Sequence, residues 1–300
     1  MWSEFLHDIQ SGDSKALARG ISLVENEVAG YGELMRLLPQ SGTPVIGLTG
    51  PPGAGKSTLA DALIAQFIAE GKKVGLVCVD PSSPFNRGAV LGDRIRMSSW
   101  YNHPGVFIRS LASRGAMGGL NPRIIEITDL MKAFPFDILM VETVGVGQSE
   151  IEIAGLADLT VVVLVPEGGD EIQTMKAGLM EIADVFVVNK ADRPDADLFA
   201  RNLRQMLAPA FSNHEEEVVI LKTVASEQKG VEELSALIST RSTRDKKKDK
   251  KSILLAERAW QLIQHARMRD INKPALTEQI GREYAKGSFN LYRFVENYPG

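Results

Sequence analysis

The stretch Gly50-Pro51-Pro52-Gly53-Ala54-Gly55-Lys56-Ser57-Thr58 has the residue types to hold a chain of phosphates. It fits the spacing G-x-x-x-x-G-K-[ST], with the apolar run VIGLT before it and the helix-forming run TLADALIAQFIAE after it. Glycine allows the backbone angles that turn successive N–H groups inward toward phosphate oxygens. A helix starting near Lys56 points the positive end of its dipole at the same anion. Lys56 would place a cation between the β- and γ-phosphates, and Ser57 would offer its hydroxyl to Mg²⁺. A glycine-rich turn that binds nothing explains neither the lysine nor the strand–loop–helix setting.

About 130 residues later, Asn189-Lys190-Ala191-Asp192 follows the apolar run VFVV. This is the N-K-x-D pattern of GTP-binding proteins. The Asp192 carboxylate can accept hydrogen bonds from guanine N1–H and the 2-amino group, and adenine offers neither donor there. A carboxylate left unpaired against the wrong base makes that discrimination large. Asn189 can bridge the base edge and the phosphate loop, while the Lys190 stem covers one face of the base.

Acidic residues end two further apolar runs. Glu142-Thr143-Val144-Gly145 closes FDILMV, where Glu142 can hold Mg²⁺, commonly through water, and the Gly145 N–H can reach the γ-phosphate. Many small GTPases carry Asp in the first place. Asp80-Pro81-Ser82-Ser83 closes another run, and Asp93 follows in GDRIRM, so Asp80 and Asp93 are further candidates for the metal or its waters. Arg87, Arg94 and Arg96 lie nearby; we single out Arg96 as a group that could neutralise charge in the transition state. Gln148 and Glu150 belong to the loop after Glu142, which would release its contacts when the γ-phosphate is lost. No Gln or His can be assigned from sequence as the group that positions the attacking water. Cys78 reads as a buried apolar residue.

These motifs need a scaffold. Short Val- and Ile-rich runs occur at 45–49, 74–80, 106–108, 136–141, 159–165, 185–189 and 218–221. Helical patterns come between them at 57–70, 122–133, 171–182, 195–207 and 231–239. The alternation predicts an α/β fold: a doubly wound, mostly parallel sheet with helices on both faces and ligands at the carboxyl ends of the strands. Residues 3–38 read as helical with a break at Ser11–Ser14, and Ser14 can cap the second helix. Residues 241–251, RSTRDKKKDKK, carry seven basic and two acidic side chains and read as a solvated linker. Amphipathic helices at 252–268 and 275–295 follow, too short a tail to make its own core. The expected division is an N-terminal helical extension 1–41, a nucleotide domain 42–240, a linker 241–251 and a C-terminal helical segment 252–300 that packs on the nucleotide domain or a second subunit.

Composition bounds the function. The 300 residues carry 34 Lys plus Arg and 38 Asp plus Glu, a formal net charge of −4. That argues against a protein built to coat nucleic acid or an anionic membrane. No apolar run approaches a membrane span, and MWSEFLHDIQSGD does not read as a secretory signal. The single cysteine excludes an intramolecular disulfide framework and a clustered-thiolate metal site. A cytoplasmic nucleotide-using protein is expected.

Taken together, GDSKALARGISLVEN (12–26), GLTGPPGAGKSTL (47–59), VCVDPSSP (77–84), GDRIRM (92–97), ETVGVGQSE (142–150), GGDEIQTMKAG (168–178), VVNKAD (187–192) and LLAERAW (254–260) resemble the MeaB/ArgK family of GTPases. The resemblance implies a P-loop GTPase domain, GTP and GDP as ligands with Mg²⁺, and a homodimer formed with helices outside that domain. It also implies a partner, adenosylcobalamin-dependent methylmalonyl-CoA mutase, whose cofactor loading and protection are gated by GTP. An extra switch segment in the family corresponds to residues near Asp170–Lys176, which makes Asp170 and Lys176 candidates for coupling nucleotide to partner. The loop that usually reads S-A-[KR] beside guanine O6 is Val224-Ala225-Ser226 here, with the contact resting mainly on the Ala225 N–H. Beside a weaker one, a protein-targeting GTPase, which would carry a Met-rich or membrane-docking domain, two alternatives remain at this stage. One is an ATP-dependent kinase linked to basic amino-acid transport, which Asp192 opposes. The other is a nickel-delivery GTPase, which would carry a His-rich or Cys-Pro-His segment that this chain lacks.

Overall fold

The computed structural model describes residues 1–80, 97–113, 120–143, 149–167, 183–207, 219–242, 248–268 and 270–298. Its strands are β1 (Val45–Thr49), β2 (Val74–Asp80), β3 (Val106–Ala112), β4 (Ile138–Glu142), β5 (Leu159–Leu164), β6 (Val185–Val188) and β7 (Val219–Lys222). They form one sheet in the order β3-β2-β4-β1-β5-β6-β7, with every neighbouring pair parallel. Most strand positions are apolar because both faces of the sheet are covered: β1, β2, β4, β5 and β6 are buried at every position. The expected parallel α/β sheet is therefore present.

The period of two along each strand sorts side chains between the two layers. Ile46 and Leu48 of β1, Leu76 and Cys78 of β2, and Met140 of β4 pack with Leu59, Leu63 and Phe67 of α4 (Lys56–Ala69) and Leu234 of α8 (Val231–Ser242). Val45, Val77, Val79, Leu139 and Val141 face the other way. They share a cluster with α1 (Trp2–Gln10), α2 (Ser14–Glu25), α3 (Tyr31–Arg36), α5 (Ile124–Met131) and α6 (Ser149–Leu156). A third cluster joins Val162, Phe186 and Val188 to α7 (Ala196–Leu207). The N-terminal helices thus share a core with the sheet, and Met1–Lys246 forms one compact unit.

Buried charge also joins the N-terminal helices to the sheet layer. Arg123, with its side chain 6% exposed, pairs with Glu27 at 2.6 Å and Glu126 at 2.7 Å. Burial works against the charge on Arg123, but the hydrogen bonds it donates to Glu27 and Glu126 outweigh that and raise its affinity for the proton. On β3, Arg109 pairs with Glu25 at 3.1 Å and donates to Ser22 Oγ at the same distance.

Local details differ from expectation in four places. Asp13, not Ser14, caps α2, and its carboxylate accepts from Lys15 N and Ala16 N. Both residue types can cap, and Asp13 is the one with extended backbone. β3 runs on to Ala112, past Arg109, whose charge is met across the fold by Glu25. β4 begins at Ile138, because Asp137 turns its carboxylate to the Lys73 N–H instead of entering the sheet. The stretch 241–251 is helical at both ends: α8 runs through Ser242 and α9 (Lys248–Arg267) begins within the lysine run, lysine being a good helix former. The helix expected at 171–182 lies outside the described residues.

A second compact unit spans Lys247–Gly300. It contains α9, α10 (Lys273–Ala285) and α11 (Leu291–Glu296). Asn272 caps α10 and Asn290 caps α11. Rings in contact run from Tyr284 through Phe289 and Phe294 to Tyr298. No described helix is long and apolar enough to cross a membrane.

Candidate nucleotide site

The strand order reverses around β1, which lies between β4 and β5, and all the described site residues sit at the carboxyl ends of the strands. The phosphate loop leaves β1 at Gly50 and enters α4 at Lys56. Gly50 has φ +135°, and a Cβ there would stand 2.1 Å from the Val163 carbonyl oxygen, so only glycine fits. Gly55 is the left-handed N-cap of α4. A Cβ at Gly55 would meet Asn189 Nδ2 at 2.4 Å. The base loop therefore packs on the phosphate loop at the second required glycine.

Lys56 is 6% exposed, and its ammonium donates to the carbonyls of Gly50 at 2.8 Å and Pro51 at 3.0 Å. These bonds fold the side chain back over the loop, where a phosphate chain would lie along the amides. Ser57 Oγ donates to Glu142 Oε1 at 2.6 Å, joining the first turn of α4 to the end of β4. Thr143 Oγ1 donates to Thr49 Oγ1 at 3.0 Å, which ties the end of β4 to the end of β1. Asp80 ends β2, the other neighbour of β4, and is 3% exposed.

The base loop is held from both sides. Asn189 Nδ2 donates to Ala54 O at 2.9 Å, while Asn189 Oδ1 accepts from Thr223 Oγ1 at 3.0 Å and Ala225 N at 3.2 Å. Lys190 has left-handed backbone, φ 56°, and its Nζ donates to Gly53 O at 2.7 Å. Its stem thus spans from the base loop to the phosphate loop. Asp192 is exposed. Val224 and Ala225 are buried and Ser226 is exposed, in a turn closed by the Val224↔Lys229 bridge. The Ala225 N–H, expected to face guanine O6, is here used by Asn189.

Pro52, Gly53 and Thr58 lie in the phosphate loop and the first turn of α4, as the motif requires. Gly145, Asp93, Arg96, Asp170 and Lys176 lie outside the described residues, as do Arg87, Arg94 and Gln148. Three groups went unassigned in sequence: Thr49, Thr143 and Thr223, whose hydroxyls brace the loops. Cys78 is buried as expected, and its Sγ lies 3.9 Å from Glu142 Oε2, a contact the sequence reading did not assign. Its position two residues before Asp80 places it on the same side of β2, and that spacing was the available signal.

The donor set suits Mg²⁺. A hydroxyl and carboxylates are hard oxygen ligands, and no group of three or more His, Cys, Asp or Glu able to hold a metal occurs among the described residues. Mg²⁺ needs no such cage, since phosphates and water supply most of its ligands.

A parallel sheet with a phosphate loop after its central strand and an N-K-x-D loop two strands away defines a P-loop GTPase. The family model described as Methylmalonyl Co-A mutase-associated GTPase MeaB matches residues 17–278, and the chain belongs to that family. A Pyrococcus abyssi protein whose name points to a GTPase is 46% identical over 239 residues, covering 78% of this chain and 74% of the relative. The GTPase ArgK of Escherichia coli is 40% identical over 63% of this chain and 59% of its own length. The mitochondrial methylmalonic aciduria type A homolog of Mus musculus is 36% identical over 60% of this chain and 48% of its own. Among solved structures, one titled LAO/AO transport system kinase superposes with a TM-score of 0.65 at 25% identity, covering 98% of this chain and 95% of that one. The hydrogenase maturation factor HypB of Archaeoglobus fulgidus shares the fold, with a TM-score of 0.50 at 20% identity over 75% of this chain and all of that one. The chain is a GTPase that hydrolyses GTP to GDP and phosphate.

Proposed function

We propose that this GTPase is a Mg²⁺-dependent chaperone for methylmalonyl-CoA mutase or a related acyl-CoA mutase, acting in the cytoplasm as a homodimer. Its nucleotide state would gate loading of the mutase with cobalamin and protect the loaded enzyme. The observation that carries the reading is the family match over residues 17–278, coupled to an intact phosphate loop and base loop. Self-association is supported by the exposed apolar side chains of the second unit, among them Leu255, Trp260, Ile263 and Val295.

In this reading Lys56 transfers its hydrogen bonds from the Gly50 and Pro51 carbonyls to phosphate oxygens and stabilises the charge that develops as water attacks the γ-phosphate. The main-chain N–H groups after Gly50 hold the chain in line. Ser57, Glu142 and Asp80 would hold the cation, Glu142 through water. A bound Mg²⁺ would supply neutralisation of phosphate charge there. Asp93 and Arg96 are proposed to complete the catalytic set, and Asp170 and Lys176 to relay nucleotide state to the mutase. Asp192 selects guanine, which separates this reading from an ATP-dependent kinase.

Linkage makes the proposal testable. If GTP and GDP forms differ in affinity for the mutase, the mutase shifts nucleotide affinity by the same factor. Pull-down of a methylmalonyl-CoA mutase in GDP and in a nonhydrolysable GTP analogue should recover different amounts of complex. Equal recovery in both, or none with any acyl-CoA mutase, refutes the chaperone role and leaves the GTPase activity standing.

A further inference from the structure

Cys78 stands opposite Glu142 in the register of the adjacent parallel strands β2 and β4. Registered residues of a parallel pair project to the same face, and here that face is the one covered by α4. Three side chains therefore converge from separate elements: Ser57 from the first turn of α4, Glu142 from β4 and Cys78 from β2. Ser57 Oγ donates to Oε1 of the carboxylate at 2.6 Å, and Cys78 Sγ donates to Oε2 at 3.9 Å. Cys78 is 2% exposed and Glu142 4% exposed, so both residues are buried where they meet.

Glu has one more rotatable bond than Asp, so a carboxylate on Glu142 has more positions to choose from. A donor on each oxygen restricts that choice. Partners that orient a ligand in this way change metal affinity when removed, although they never touch the metal. An S–H group is a weak donor, so its effect should fall at or below the lower end of the range for stronger partners.

We infer that Cys78 is a positioning residue for the cation site: its thiol, facing Glu142 across the β2–β4 register, holds the carboxylate in the orientation that receives the hydrated cation. The inference rests on the proposed role of Ser57 and Glu142 in holding Mg²⁺. It adds a residue that packing alone would explain as apolar filler, and the two explanations separate by substitution. Valine keeps the apolar volume and strand preference of the site without a donor. Serine keeps a donor and loses some volume.

The test is Mn²⁺ titration of the GDP complex by electron paramagnetic resonance, for wild type, Cys78→Val and Cys78→Ser. GDP affinity in EDTA is measured alongside as a check on the fold. Cys78→Val should weaken Mn²⁺ binding about 3- to 10-fold, with metal-free GDP affinity unchanged. Cys78→Ser should stay within about twofold of wild type, because a hydroxyl donates in the same place. If Cys78→Val does not fold, Cys78→Ala carries the same expectation. Wild-type Mn²⁺ affinity in the donor-less variant overturns the inference, as does a serine variant as weak as the valine one. A wild-type GDP complex that takes up no Mn²⁺ refutes the cation site itself, a different result from either.

Discussion

Leu63 and Leu255 occupy helices built on similar residue types, yet Leu63 is 0% exposed and Leu255 is 53% exposed. Leu63 belongs to the unit Met1–Lys246, where a sheet covered on both faces closes three apolar clusters. Leu255 belongs to Lys247–Gly300, in which none of the side chains whose burial is described is buried. The contrast shows that apolar content does not make a core. A helix buries its stripe only when another layer lies over it. Chemistry needs the first kind of unit, because loops can be held to a few tenths of an ångström only on a packed scaffold.

The division can be tested hardest at the base loop. Asp192→Asn should lower GTP affinity by at least about 100-fold, through loss of the charged acceptor. Self-association, read by sedimentation, should be unchanged. A variant that loses both at once would break the separation between the two units.

The same leucine-to-alanine change should then give opposite results in the two places. Leu63→Ala should destabilise the fold by about 2–5 kcal/mol, read by denaturant unfolding. Leu255→Ala should change it by no more than about 0.5 kcal/mol in the monomer and should weaken self-association instead. A Leu255 variant as unstable as the Leu63 variant would mean that the second unit has a core after all.

The smallest effect concerns the edge of the packed unit. Burial pulls the Glu70 carboxyl upward, but hydrogen bonds from Lys72 and Ser235 outweigh it and hold its affinity for the proton below the ordinary value. A carboxyl depressed in the folded state stabilises the protein above its unfolded pKa, and that contribution disappears as pH falls through the folded one. Thermal melts should therefore show a small loss of stability on acidification below the ordinary carboxylate range. Lys72→Ala should flatten that loss, and an unchanged slope would show that the ion pair is too exposed to matter.

Much of the fold was legible because buried parallel strands are continuous apolar runs. The signal failed where a polar residue entered a strand for a distant reason. Arg109 and Ser110 break the apolar pattern of β3, and Arg109 finds its partners in Glu25 and Ser22, which lie 84 and 87 residues away in sequence. The site divides in the same way. The phosphate loop and the N-K-x-D loop are local strings whose chemistry is contained in adjacent residues. The braces Thr49–Thr143 and Thr223–Asn189 are not, since they span 94 and 34 residues.

Sequence by itself determined the alternation of strands and helices, the G-x-x-x-x-G-K-[ST] motif and the N-K-x-D motif, because each depends on residue type and short spacing. Tertiary structure decided which strands became neighbours. It thereby decided that Gly55 meets Asn189, that the Ala225 N–H serves Asn189, and that a lone cysteine faces the carboxylate of Glu142. Pairing order and register are settled by the packing of the whole sheet, and no short window of residues contains that information.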